Sequence, residues 1–319
     1  MKNTESTFLF VRHTQKTKRP EDGSSTSDEF YAGITEEGEQ LVREKTREHL
    51  LSLIEESAPG SVVIFAGASD LPRTKSSTRV SVNELRNIFA ERTDEYLVLD
   101  EKDINSMVDK KTESTRNVLS ETVAANPEKK VILSYPLFLK EFSLVTPESG
   151  TRASEQDWKT GGAKEEWTPY LTELMKIAND DEDQAVRTWI NNGGKITTAD
   201  GKILEGPNPV GVAREYINAL KRLDNITKEL FPRRPRVVEA TAHSWDIDVF
   251  IAYATHGGKL DVSAYEEIAK GADQETSIIS EFEFPVIKLS DTSGTLEYRG
   301  RTYPINAPEL ADDAQAKSG

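Results

Sequence analysis

The chain has 319 residues, 36% of them hydrophobic and 30% charged, which is enough to bury a substantial core in one large domain with an insertion or in two domains. Its net charge of −15 argues against nucleic acid as a partner, because a phosphate backbone needs a basic face, but it leaves room for a small cationic pocket in an acidic exterior. The absence of cysteine excludes disulfides, thiolate metal sites and cysteine nucleophiles.

The opening stretch MKNTESTFLFVRH has too short an apolar run for a signal peptide, and no stretch reaches the apolar length of a membrane span. The expectation is a cytoplasmic protein with no membrane partner. Phe8 to Val11 is a continuous apolar run with two aromatic and one β-branched residue, the pattern of a short buried strand. It ends on Arg12 and His13, so both side chains are expected at the strand's carboxyl end, where open α/β sheets bind ligands. Residues 14–33 are polar, with Pro20, Gly23 and several serines, and read as a mobile loop over that end. Thr35 can cap the next helix, whose first turn carries Glu36, Glu37 and Glu39 and which Pro59-Gly60 ends.

A second buried strand, Val62 to Ala66, leads through a loop to Arg73 at the head of a helix predicted over 74–92. Tyr96 to Leu99 reads as a short strand, 112–125 as a helix, and Lys130 to Tyr135 as another buried strand. From Pro147 to Pro209 the character changes to charge, Trp and Gly, with Trp158, Trp167 and Trp189. This is read as an inserted, mostly helical cap, or else as a surface excursion with a small local core. Residues 210–230 place Val212, Tyr216, Ile217, Leu220 and Leu223 at helical spacing. A third strand, Val237 to Ala242, ends on His243 and runs into a helix. The segment FEFPVIKLSDTSGTLEYRGRTYPI predicts a β-hairpin turning at Asp291 to Gly294, and the last residues read as a disordered tail.

Two histidines and two arginines thus follow three strand ends. In this order the sequence resembles the histidine phosphatase superfamily, which includes the phosphoglycerate mutases. Arg12-His13 is similar to its first motif; Ser69, Arg73 and, imperfectly, Ser77 are similar to its Ser-x-x-x-Arg-x-x-x-Thr motif. His243 corresponds to its late strand-His-helix motif, and Gly33 to Gly38 to the phrase that opens its first helix. The likeness covers 7–105 and 230–290. It departs at Thr14, where the family has glycine, and at Lys16, where the family has threonine or a second arginine.

The resemblance implies a three-layer α/β/α sandwich with a mostly parallel central sheet. The core would come from 1–145 and 206–305, the inserted cap from 146–205, and the tail from 306–319. It implies a metal-independent phosphomonoester hydrolase with no cofactor and a small phosphorylated substrate. His13 would be the nucleophile, forming a phosphohistidine. Arg12, Arg73 and His243 would cradle the phosphate, and Lys16 would add a point charge. Glu101, in YLVLDEKDINS, best matches the proton donor of one branch; the aspartate that serves another branch is absent, Ser244 taking its place. Near pH 7 a neutral imidazole is a competent nucleophile, and arginines can hold the equatorial oxygens as charge spreads over them. Three alternatives stay open: a mutase that returns the phosphoryl group, a protein phosphohistidine phosphatase, and a non-catalytic phosphate-binding or regulatory module on the same fold. His49 and His256 are expected to stand outside the site. The sequence does not reveal the oligomeric state.

Overall fold

The computed structural model describes residues 5–14, 34–67, 72–108, 114–135, 162–269, 278–290 and 293–305. Among them, β1 (Ser6–Arg12) lies between β7 (Arg236–Ala242), which it pairs in parallel, and β8 (Val286–Leu289), which it pairs antiparallel. Beyond β7 come three more parallel strands: β2 (Val62–Phe65), β4 (Lys130–Ser134) and, at the edge, β3 (Tyr96–Leu99). Beyond β8, β9 (Gly294–Tyr298) and β10 (Arg301–Ile305) continue antiparallel. The sheet order is β10-β9-β8-β1-β7-β2-β4-β3. The single hairpin expected near the carboxyl end is therefore a three-stranded meander that extends the sheet, with Asp291 and Thr292 of its turn outside the described residues.

Each face of the sheet carries its own apolar cluster. On one face lie α1 (Glu36–Lys45), a π-helical turn (Thr46–Leu50), α2 (Leu51–Glu56) and α3 (Pro72–Ile88), packed on Leu9, Val11, Val63, Phe65 and Ile132. Thr35 caps α1, its hydroxyl accepting from the Gly38 amide at 3.0 Å. The helix expected to run unbroken to Pro59 changes to a π turn where the buried Thr46 hydroxyl donates to Ser81 of α3 at 3.2 Å.

On the other face, Phe8, Phe10, Val238, Ala240 and Ala242 pack against α8 (Pro209–Leu230) and α9 (Ser244–Thr255). Two shorter helices, α4 (Glu101–Met107) and α5 (Thr115–Ala125), follow β3. Helices on both faces of a largely parallel sheet make the three-layer α/β/α architecture. The region read as a cap contributes α6 (Gly162–Ile177), α7 (Glu182–Asn192) and a small hairpin, β5 (Lys195–Thr197) with β6 (Ile203–Glu205). Tyr170, Leu174, Val186 and Trp189 join the same apolar cluster as α8 and α9. Trp189 donates to the Pro207 carbonyl at 2.7 Å and lies 6.1 Å from the ring of Trp245. Trp158 lies outside the described residues. After Ala269 of α10 (Val262–Ala269) the description resumes at Ile278.

The amino ends of β1 and β7 are tied by a buried ionic cluster. Arg236 donates to the Ser6 hydroxyl at 2.5 Å, Ser6 donates to Asp224 of α8 at 3.0 Å, and Lys228 donates to the other oxygen of Asp224 at 2.5 Å. Removing the carboxylate would take away the anion 3.7 Å from the buried Arg236 guanidinium. Asp224→Ala is expected to destabilise the fold by about 3 kcal/mol in urea denaturation, and replacing the pair together (Asp224→Leu with Arg236→Met) by clearly less.

Candidate active site

Strand alternation decides where the site forms. Along β1, Leu9 and Val11 face α3 and Phe8 and Phe10 face α9; His13 continues the first series and Arg12 the second. Along β7, Val237 faces α3 with Glu239 and Thr241 in the same series, and His243 extends it. Arg12 is registered on Ala242, and the His13 amide donates to the Ala242 carbonyl at 3.2 Å, so the two histidines leave adjacent strands on the same side. Their rings meet edge to face, 5.3 Å between centroids.

Arg73, at the start of α3, closes the group. Its Nε donates to His13 Nε2 at 3.0 Å, and its Nη2 lies 3.4 Å from His243 Nδ1. Arginine has no acceptor and a carbonyl has no proton, which settles the tautomers. His13 Nδ1 lies 2.7 Å from the Thr14 carbonyl and must donate to it, so the proton of His13 is on Nδ1 and its lone pair on Nε2. His243 accepts on Nδ1. It occupies the cap position of α9, is buried, and makes no side-chain cap hydrogen bond. Thr14 is buried and is not among the residues with positive φ, so a threonine fits where the family has glycine.

Arg12 is directed differently. Its Nη1 donates to the Ile279 carbonyl, while the Ile279 amide donates to Asp248 of α9 at 2.9 Å. The two side chains hold the amide and the carbonyl of one residue, on consecutive peptide units, and fix the segment that returns beside β1. That segment is further held by Arg299, which donates to the Ile278 carbonyl at 3.1 Å and to Glu283. Burial pushes the Asp248 carboxyl well up; the Ile279 amide, Arg12 and Arg299 pull it back. Arg12 also lines an open cleft of about 450 Å³ together with the acidic turn between α6 and α7.

Glu101 is the first residue of α4, whose cap is Asp100. Its carboxylate pairs with Arg79 at 3.1 Å, and Asp100 pairs with Arg86 at 3.0 Å. Because β3 is the edge strand, with β4 and β2 between it and β7, Glu101 starts roughly 14 Å across the sheet from the His243 strand. Ser77 donates to the Arg73 carbonyl at 3.1 Å, while Lys16 and Ser69 lie outside the described residues. His256 bonds the Ala252 carbonyl and Glu267, and His49 is an exposed residue of the π turn; neither is joined to this group by any bond given above. Among the described residues no group of three His, Cys, Asp or Glu side chains could hold a metal ion, and no helix is long and apolar enough to cross a membrane.

The sequence reading missed Glu239. It is buried in the middle of β7, accepts from the Thr241 hydroxyl at 2.5 Å, and Thr241 in turn lies 3.0 Å from the Thr78 hydroxyl of α3. An acid in a strand as apolar as RVVEATA, on the same parity as a site histidine, was the available signal.

No family model and no curated protein matches the chain. Among solved structures, the mycobacterial glucosyl-3-phosphoglycerate phosphatase is similar at 12% identity over 90% of this chain and 91% of its own, with a TM-score of 0.34. A phosphoglycerate mutase from Bacillus anthracis is similar at 8% identity over 95% and 93%, with a TM-score of 0.37. Hafnia alvei phytase in complex with tartrate is similar at 10% identity over 98% and 92%, with a TM-score of 0.31.

Burial raises the Glu239 carboxyl to about 7, with the hydroxyls of Thr241 and Thr78 pulling the other way. The folded chain therefore holds a proton that the unfolded chain, at an ordinary 4.5, has released. Stability is expected to fall as pH rises from 4.5 through 7, by about 3 kcal/mol from this one group. Glu239→Gln should remove that slope. Measured by urea denaturation, the difference between variant and wild type should move in the variant's favour by that amount between pH 4.5 and 8.

Proposed function

We propose that the chain hydrolyses small phosphoric monoesters through a phosphohistidine on His13. The reading is carried by one observation: two hydrogen bonds hold the His13 proton on Nδ1 and leave the Nε2 lone pair facing Arg73. In the resting site Arg73 Nε–H covers that lone pair. An incoming phosphoryl group would draw the guanidinium onto its oxygens, where a planar fork of donors is worth most, and free Nε2 for attack.

The Nε2–P bond then forms as the P–O bond to the leaving group breaks, and the departing oxygen takes a proton. Water attacks the phosphorus next, the P–N bond breaks, and inorganic phosphate leaves with His13 regenerated. His243 and Arg73 would stabilise the equatorial oxygens in both steps. Arg12 and Lys16 would add positive charge at the end of β1. Glu101 is the proton donor by resemblance alone, and its ion pair with Arg79 has to open before that carboxyl group can meet a leaving group.

The same two observations, a covered Nε2 and a paired Glu101, favour the second reading, a module that binds phosphate without turning it over. Rapid-quench detection of labelled phosphohistidine separates the two, because only the hydrolase or a mutase forms it. Product analysis with a phosphorylated sugar acid then separates mutase from hydrolase.

His13→Ala is expected to lower turnover of an aryl phosphate by on the order of 10³-fold or more, with the fold retained by circular dichroism. Wild-type turnover in that variant would remove His13 as the nucleophile. Arg73→Lys, which keeps the charge and loses the fork, should cost roughly 10²-fold on aryl and alkyl esters alike. Glu101→Gln should cost about 10²-fold or more on alkyl esters and little on activated aryl esters, which leave without a proton. Unchanged rates on both ester classes would transfer the donor role to another carboxylate, and an equal loss on both would make Glu101 a structural residue.

A further inference from the structure

We infer that Glu239 is a positioning residue for Arg73, acting through the hydroxyl chain Thr78 to Thr241 to Glu239 that fastens the first turns of α3 to β7. This inference rests on the proposed reading only in taking Arg73 as an anion-binding group.

The direction follows once Glu239 is ionised. A carboxylate only accepts, so Thr241 donates to Oε1, and Thr78 Oγ1, 3.0 Å from the Thr241 oxygen, donates to that oxygen or to the carboxylate itself; either way the donors run from α3 towards the strand. Thr78 lies five residues after Arg73 on α3, and Thr241 lies two residues before His243 on β7. The link therefore sits about one helical turn and one strand pleat beneath the site, and joins the elements that carry Arg73 and His243. Gly67, just after β2, closes over the same hydroxyl. A Cβ there would stand 3.3 Å from Thr78 Oγ1, and its φ of +50° is one that few other residues adopt. Thr78 is thus held between two strand ends, and Arg73 inherits its position from that clamp.

Among the described residues, the groups packed on Glu239 are otherwise neutral. It is registered on Leu9 of β1 and Phe65 of β2, and α3 faces the sheet with Thr74, Ser77, Thr78 and Ser81. Among the described residues, the charged and titratable groups on this face are Arg73, His13 and His243 at the site end, Glu84, paired with Arg43 and Arg47, towards the other end of α3, and Tyr96 and Lys130 farther across the sheet. None of these is among the causes that move Glu239; burial raises it and the two threonine hydroxyls lower it. Once ionised, Glu239 is a stronger acceptor, and the polarised Thr241 oxygen becomes a better acceptor for Thr78. The first turns of α3 should therefore be held more firmly at pH 8 than at pH 5.5, although the fold as a whole is less stable at the higher pH. Those opposite trends set positioning apart from general stabilisation.

The experiment combines amide hydrogen exchange with sulfate binding, sulfate being an oxyanion whose charge is constant over this range. It compares wild type, Glu239→Gln, Thr78→Val and Thr78→Ser. Protection of the α3 amides, corrected for intrinsic exchange, is expected to rise from pH 5.5 to pH 8 in the wild type and to stay level in Glu239→Gln and Thr78→Val. Sulfate affinity at pH 8 should fall roughly 2–10-fold in Thr78→Val, the worth of one hydrogen bond, and return to within about twofold in Thr78→Ser. A parallel rise in protection in Glu239→Gln, or unchanged sulfate affinity in Thr78→Val, overturns the inference. If the wild type binds no sulfate, the proposed function falls while the exchange data still decide the positioning role.

Discussion

The arrangement depends above all on the register of β1 against β7. These strands run in parallel with Arg12 opposite Ala242, so the next residue of each leaves the sheet at the same level and on the same side. A shift of one residue would send His13 or His243 to the α9 face and separate the rings by the thickness of the sheet. The buried cluster of Ser6, Asp224 and Arg236 lies at the other end of the same two strands and pins that register from below. Arg73 then needs only a helix that follows the next strand. β2 neighbours β7, and its loop delivers α3 over both histidines.

The polarity of neighbouring side chains divides the two faces beneath this point. The α9 face carries aromatic rings, with Phe10 in edge contact with both Tyr216 and Phe250, whose own rings lie tilted at 5.9 Å. The α3 face carries Glu239, Thr241 and a line of small buried hydroxyls. Arg12, leaving on the aromatic side, finds its partner in a backbone carbonyl. His13, leaving on the hydroxyl side, finds Arg73. Adjacent residues of one motif thus do different structural work because successive side chains of a strand point opposite ways.

The strands and their ends were legible because short apolar runs bounded by polar residues leave few other readings. Val62–Phe65, Tyr96–Leu99 and Lys130–Ser134 fall where the runs placed them, and the helices of 74–92 and 210–230 differ only at their ends. The convergence of His13, Arg73 and His243 was legible from their order after strand ends. The opposite directions of Arg12 and His13 were legible too, from parity, but the residue pair was read as a unit. The position of Glu101 was not, since strand order is set by long-range pairing and no local pattern says that β3 is the edge. The meander of β8 to β10 was half visible: a hairpin can be read locally, but its docking beside β1 cannot. Glu239 was hidden by composition, one carboxylate among 55 acidic residues, most of which have no reason to be inside.

Both strands that flank β1 in the sheet lie far from it in sequence. The partner of Ser6 on β7 lies 230 residues downstream, and the partner on its other side comes later still. During synthesis the run Phe8 to Val11 stays an unpaired apolar strand while β2, β3 and β4, close together in sequence, can already associate. β1 pairs with β7 on one side and β8 on the other, so the β8 meander joins the parallel half of the sheet only through it. The two histidines therefore come into register only once β7 is present, so a chain truncated before β7 carries every residue of the first motif and no site.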